Sequence, residues 1–325
     1  MKLTCRDETF PIAGRFTIAR GSKTEARVLY VELEDDGHIG RGESVPYARY
    51  GESLETSLAE LEAQRELIEA GLTLDGVQDI LPAGAARNAL DCALWDLIAK
   101  RGGIPAWQMA GLKRLDPLKT AYTLSLDTPE AMGAQAAHNA GRPLLKLKIG
   151  GADDLDRVEA VRANAPKSRL IVDGNEGLSF DDLRRIAPDL ARLGVMLIEQ
   201  PMKVGDDEAL LGYASPVPLC ADESLHTRAE LDRCARLYTC VNIKLDKTGG
   251  LTEALALKRS AVEKGLDIMV GCMVATSLSM APAMLVAQGA HFVDLDGPLL
   301  LARDREHGLE ITGSILAPPQ PELWG

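Results

Sequence analysis

From about residue 118 onward the chain alternates short apolar runs with helical stretches, eight times over. The runs span residues 121–126, 144–149, 170–173, 195–200, 217–221, 241–245, 268–272 and 292–295. Positions at or near the ends of the second to eighth runs are Lys148, Asp173, Glu199, Asp222, Lys244, Cys272 and Asp294, with gaps of 25, 26, 23, 22, 28 and 22 residues. One strand, one helix and two short loops fill about that length, and eight such parallel units in succession close a ring. An open doubly wound sheet is the competing arrangement, but no GxGxxG follows any run. The expectation is an α/β fold built on a TIM-like (β/α) barrel over residues 116–304.

Residues 1–115 read differently. Arg27-Val28-Leu29-Tyr30-Val31-Glu32-Leu33 has strand composition, and Asp35-Asp36-Gly37 breaks it before Ile39-Gly40-Arg41-Gly42. Helical patterns follow over 53–70, stopped by Gly71, and over 85–101, stopped by Gly102-Gly103. An α+β capping domain is expected here, joined by residues 305–325.

Bulk composition excludes several function classes. A net charge of −12 argues against nucleic acid and against an anionic membrane surface. No apolar stretch is long enough to span a bilayer, and residues 1–20 lack a signal-peptide core. The six cysteines have no CxxC pair, so free thiols in a reducing cytoplasm are expected rather than zinc or disulfides. Monomer and homo-oligomer both stay open.

The strand ends carry the chemistry. A charge is expensive in a packed barrel unless it lies at the open mouth. In Leu145-Lys146-Leu147-Lys148-Ile149, period two puts both lysines on one face. A solvated edge strand would show the same pattern. Asp173, Glu199 and Asp222 end three successive runs, so three carboxylates converge and would repel unless neutralised. A hard divalent cation suits this all-oxygen set, magnesium (Mg2+) foremost. Each acid alone could instead be a helix cap. Asn242, Lys244 and Asp246 are placed on one face of the sixth strand, and Asp294 and Asp296 at the mouth of the eighth. A turn onset before Gly297-Pro298 is the plainer role for Asp296.

In an eight-stranded ring the second and sixth strands stand opposite, so Lys148 and Lys244 are expected to face each other across a metal-bound ligand. A coordinated carboxylate can accept charge as its α-proton leaves, and two amines on opposite faces can then invert the centre. Such an amine must be neutral, so its pKa is expected to be lowered toward about 7–8 by the metal and by Lys146.

The Lys146/Lys148 pair, the Asp173/Glu199/Asp222 series and Lys244 together resemble the muconate-lactonising branch of the enolase superfamily. Leu81-Pro82-Ala83-Gly84-Ala85-Ala86-Arg87-Asn88-Ala89-Leu90-Asp91, Asn242-Ile243-Lys244-Leu245-Asp246-Lys247-Thr248-Gly249-Gly250 and Gly271-Cys272-Met273 are similar to the dipeptide epimerases of murein-peptide recycling. The resemblance implies that Lys146 helps hold the metal-bound carboxylate, Lys148 and Lys244 exchange the proton, and Asp294 and Asp296 hold the dipeptide ammonium. In such enzymes an arginine of the capping domain grips a side-chain carboxylate, and Arg20, within Ile18-Ala19-Arg20-Gly21-Ser22-Lys23, is the candidate; a solvated loop charge is the alternative. N-acylamino acid racemisation and o-succinylbenzoate synthesis are the same-fold alternatives, neither needing an ammonium site. A sugar-acid dehydratase is disfavoured because no histidine ends the sixth or seventh strand. From another class, a non-catalytic barrel used for binding is opposed by the intact set of lysines and acids.

Overall fold

The computed structural model describes residues 1–18 and 21–325. The chain opens with an antiparallel sheet of β1 (Lys2–Ile18), β2 (Gly21–Asp35) and β3 (His38–Ser44). Against it lies the helix Ala85–Gly102, buried on nearly all sides, which is why its sequence shows little amphipathic contrast. Contact with β3 is close enough to require glycine: a Cβ on Gly42 would sit 2.0 Å from the Ala89 carbonyl, and one on Gly40 2.2 Å from that of Ala93. Before it, the single helix expected over 53–70 is two, Leu54–Ala63 and Arg65–Ala70, interrupted at Gln64. Ser53 caps the first through a reciprocal bond with Thr56. A third, Leu74–Ile80, escapes the sequence pattern because it is under two turns long.

After a short β4 (Leu118–Lys119) come eight parallel strands: β5 (Tyr122–Leu124), β6 (Leu144–Lys148), β7 (Arg169–Asp173), β8 (Val195–Glu199), β9 (Leu219–Ala221), β10 (Cys240–Ile243), β11 (Asp267–Gly271) and β12 (Phe292–Asp294). Each pairs with its sequence neighbours, in the order expected for a barrel. The ring is nearly closed between β5 and β12 by Ala121 N donating to the Val293 carbonyl (2.8 Å), Leu295 N to Thr120 Oγ1 (2.8 Å) and Thr123 N to Asp296 Oδ2 (2.6 Å).

Period two explains what fills the ring. Ala121, Leu144, Ile171, Leu197, Cys220, Cys240, Met269 and Phe292 form a separate buried apolar cluster, one residue at each strand, which plugs the barrel base. Two positions further along each chain the residues are Thr123, Lys146, Asp173, Glu199, Asp222, Asn242, Gly271 and Asp294. Alternation therefore delivers the polar set to the same side as the plug, one layer nearer the mouth. Beyond the barrel, β13 (Ile311–Thr312) and β14 (Ile315–Leu316) pair back onto β4, and buried Trp324 donates its indole N–H to the Cys92 carbonyl at 3.0 Å. No described helix is long and apolar enough to cross a membrane.

Candidate active site

A cavity of about 970 Å³ lies between the barrel mouth and the N-terminal sheet. Lys146, Lys148, Asp222, Lys244, Asp294 and Asp296 line its floor, while Lys23, Tyr47 and Tyr50 line the opposite wall. Asp173 and Glu199 are buried beneath and bonded to the floor.

The lysines and acids interlock. Lys148 Nζ donates to Asp173 Oδ2 at 2.6 Å and Lys244 Nζ to Asp222 Oδ2 at 2.6 Å, so the two amines stand at opposite ends of the three-acid arc. Lys146 lies between, 3.1 Å from Asp173, 2.6 Å from Glu199 and 2.8 Å from Asp294. Burial opposes charge on Asp173 and Asp222, yet the ammonium groups of Lys148 and Lys146 on the first, and of Lys244 and Lys247 on the second, hold both carboxyls well below the usual range. Glu199 has too little of that support: burial, then the charge of Asp173, pushes it up to about 7.

Burial works against the Lys244 ammonium, but Asp222 and Glu199 more than offset this and raise its pKa above the ordinary value, because the amine rests directly on a carboxylate. The lowering expected above belongs to the site with its cation bound. Position corrects one expectation: β10 ends at Ile243, and Leu245–Thr248 is a helical turn. Asp246 therefore leaves the inward face, accepting from Val45 N at 2.8 Å and Asn88 Nδ2 at 3.1 Å.

Among the described residues no three acidic, histidine or cysteine side chains gather about one point as metal ligands do. The carboxylates turn to lysines instead. The donor chemistry nevertheless fits a hard cation: three oxygen acids at most 1 % exposed end adjacent strands. Among the described residues Glu199 Oε2, although near Lys146 Nζ, has no aligned hydrogen-bond donor. Asp294 Oδ1 is likewise buried with no hydrogen-bond partner among them. Asp296 accepts from Thr123 N, and burial and Asp294 push its carboxyl up to about 7.

Residues 131–320 match the family model described as enolase C-terminal domain-like, and residues 1–111 that of the mandelate racemase / muconate lactonizing enzyme N-terminal domain. The chain belongs to the enolase superfamily. Within that superfamily it is 46% identical to the L-Ala-D/L-Glu epimerase of Escherichia coli (strain K12), over 94% of this chain and 96% of the relative. It is also 46% identical to an N-acetyl-D-glutamate racemase of Pseudoalteromonas sp, over 92% and 95%. A solved enolase family member from Agrobacterium tumefaciens, with homology to dipeptide epimerases and holding sodium and L-Ala-L-Glu, superposes with a TM-score of 0.98 at 52% identity, covering 99% of each chain. The dipeptide epimerase of Enterococcus faecalis V583, complexed with Mg and L-Leu-L-Tyr, superposes at 0.91 with 28% identity, covering 98% of this chain and 97% of that one.

Two residues of this superfamily member, quoted above only as members of motifs and given no role there, also join the site. Lys247, only 1 % exposed, donates to Asp222 Oδ1 (2.7 Å), the Asp222 carbonyl (2.5 Å) and the Asn242 carbonyl (2.9 Å). Gly271 leaves room for side chains of β10 and the residue after it: a Cβ there would lie 2.8 Å from the Asn242 amide and 3.1 Å from Lys244 Cε. Arg20 lies outside the described residues. Lys23, on β2, lines the cavity, has no ion pair among the described residues, and burial lowers its pKa.

Proposed function

We propose that this enzyme is a magnesium-dependent dipeptide epimerase, inverting the α-carbon of the C-terminal residue in L-Ala-L-Glu and L-Ala-D-Glu-type dipeptides. One observation carries the reading: Lys148 and Lys244 stand at opposite ends of an arc of three buried acids. Asp173, Glu199 and Asp222 would hold Mg2+. When bound, it supplies positive charge against the substrate carboxylate as the α-proton leaves. Lys146 orients that carboxylate. Lys148 and Lys244 remove the proton from one face and return one to the other, and Lys244 can act as a base only when Asp222 is engaged elsewhere. Asp294 and Asp296 receive the dipeptide ammonium, for which the unpartnered Asp294 Oδ1 is an available acceptor. Lys23 is positioned to meet a side-chain carboxylate, the role considered above for Arg20. The dipeptides in the Agrobacterium and Enterococcus structures support this assignment.

We assign residues 1–115 with 305–325 to the unit that covers the substrate and 116–304 to the barrel, and place the enzyme in the bacterial cytoplasm, recycling wall-derived dipeptides. Racemisation of an N-acylated amino acid is the second reading, favoured by the equal identity to the Pseudoalteromonas racemase. The two are separated with L-Ala-L-Glu and N-acetylglutamate in heavy water. The dipeptide should epimerise with deuterium uptake, stop in chelator and resume with magnesium. Acetylating its N-terminus should cost about 1.5–3 kcal/mol of catalytic efficiency for each charge-assisted bond lost. Faster turnover of N-acetylglutamate than of the dipeptide would transfer the assignment to the second reading.

A further inference from the structure

Glu199 and Asp222 approach each other where the sheet has already ended. The last rung between β8 and β9 pairs Glu199 with Cys220, so Asp222 lies two residues past the ladder and has no strand to receive its N–H. A side chain receives it instead. Gln200, fully buried, accepts from Asp222 N at 2.8 Å and from Ser224 N at 3.1 Å through Oε1. Its Nε2 donates to the Met202 carbonyl (2.8 Å), Ser224 Oγ (2.8 Å) and Tyr238 Oη (3.1 Å). Its backbone extends the same bracket: Gln200 N donates to the Cys220 carbonyl at 2.8 Å, and its own carbonyl accepts from Glu176 N at 2.9 Å.

The backbone conformation fits this use. Gln200 has φ of +30°, a region that side-chain-bearing residues rarely adopt. Strain of this kind persists only where the surroundings over-determine it. Here the main chain keeps its bond to Cys220 of β9, and the turn sends the side-chain amide on to the Asp222 loop beyond the strand. Ser224 Oγ and Tyr238 Oη, the partners on the far side, both donate to buried Asp207, which Arg233 holds from outside. The amide is thus fixed from behind and presents its oxygen to the Asp222 loop.

We propose that Gln200 is a positioning residue for the acid triad, adding one side-chain rung to the β8–β9 ladder and so setting the spacing of Glu199 and Asp222 that a divalent cation would need. This rests on the reading of Asp173, Glu199 and Asp222 as cation ligands. Met and Leu offer neither donor nor acceptor here, and Glu, which could accept from Asp222 N and Ser224 N, has no N–H for Met202, Ser224 and Tyr238. Asn keeps an amide and tolerates positive φ, but falls one methylene short. Gly relieves the strain and deletes the bracket.

The test is Mg2+ titration of chelator-stripped protein by calorimetry, with melting temperature measured on the same stripped samples. Gln200→Asn and Gln200→Gly should weaken Mg2+ binding about 10-fold or more, whereas Tyr238→Phe, which cuts the bracket on the side away from the acids, should lower the melting temperature yet keep affinity within about 2-fold. Gln200→Asn carries the test should the glycine variant not fold. Affinity unchanged in both Gln200 variants, or lost equally in Tyr238→Phe, overturns the positioning role and leaves the cation site standing. A flat titration of the unaltered protein overturns the cation site itself.

Discussion

At the scale of the residue, Lys148 and Lys244 are alike in sequence and alike in setting, each ending on a flanking acid of the same arc. Inversion needs both, so alanine at either should abolish epimerisation. Each variant retains one amine, which can remove the α-proton of one epimer and return deuterium to the same face. Lys148→Ala and Lys244→Ala should therefore each exchange a single epimer in heavy water, and opposite ones. Residual epimerisation in one variant, or exchange of the same epimer by both, would mean that one lysine only supports the substrate carboxylate electrostatically. Both lysines were legible from the period-two pattern and run spacing. Lys247 entered only as part of the motif at residues 242–250, because neither period nor spacing separates a lysine before two glycines from a solvated one; the fold brings it to Asp222.

At the scale of the element, each strand contributes through the parity of its side chains, and β11 contributes through a side chain it lacks. Gly271 occupies the inward slot where its neighbours carry Asn242 and Asp294, and the stem of Lys244 passes through that space. Gly271→Ala should displace Lys244 and lower kcat about 10-fold or more for a shift of the order of 1 Å. Melting temperature should change little, because the alanine meets side-chain ends rather than backbone, but Mg2+ affinity should fall too, since the nearest of them, Asn242 Nδ2, donates to Glu199 Oε1 at 2.8 Å. Activity equal to that of the unaltered enzyme would show that Lys244 is placed by its own loop alone. The helical turn Leu245–Thr248 illustrates why strand ends are hard to read: period two predicted Asp246 beside Lys244, but the chain changes period between them.

At the scale of the whole molecule, Asp246 ties the turn after β10 to the end of the N-terminal sheet and its helix, through Val45 N and Asn88. Burial pushes its carboxyl up to about 7, with the bonds from Val45 and Asn88 only partly compensating. An unfolded aspartate titrates near about 4, so the folded state binds this proton more tightly. The contribution to stability is complete below the unfolded value and is lost as pH rises through the folded one. Metal-free protein should lose stability on this account between about pH 4 and about 7, and Asp246→Asn, which keeps the accepting oxygen, should flatten that decline. Unfolding in denaturant across this range checks it: a slope identical in both proteins would place the titration elsewhere. Asp173 and Asp222 act with the opposite sign, favouring the fold above the unfolded carboxylate range.

The order of eight parallel strands, the acids and lysines that end them, and an α+β unit ahead of them follow from the sequence alone, because hydrophobic period and spacing are local properties of the chain. Tertiary structure decided everything that depends on contact across the ring. It turned Lys244 toward Asp222, whose charge raises the pKa of the amine above its ordinary value. It sent Asp246 out of the mouth to hold the N-terminal sheet, and it set Lys23 of β2 against the cavity. It also made Gln200, a neutral residue with no charge or spacing to mark it, the partner of an N–H that the β-ladder leaves behind. Periodicity says which side of a strand a residue faces; which group it meets there depends on where seven other strands end.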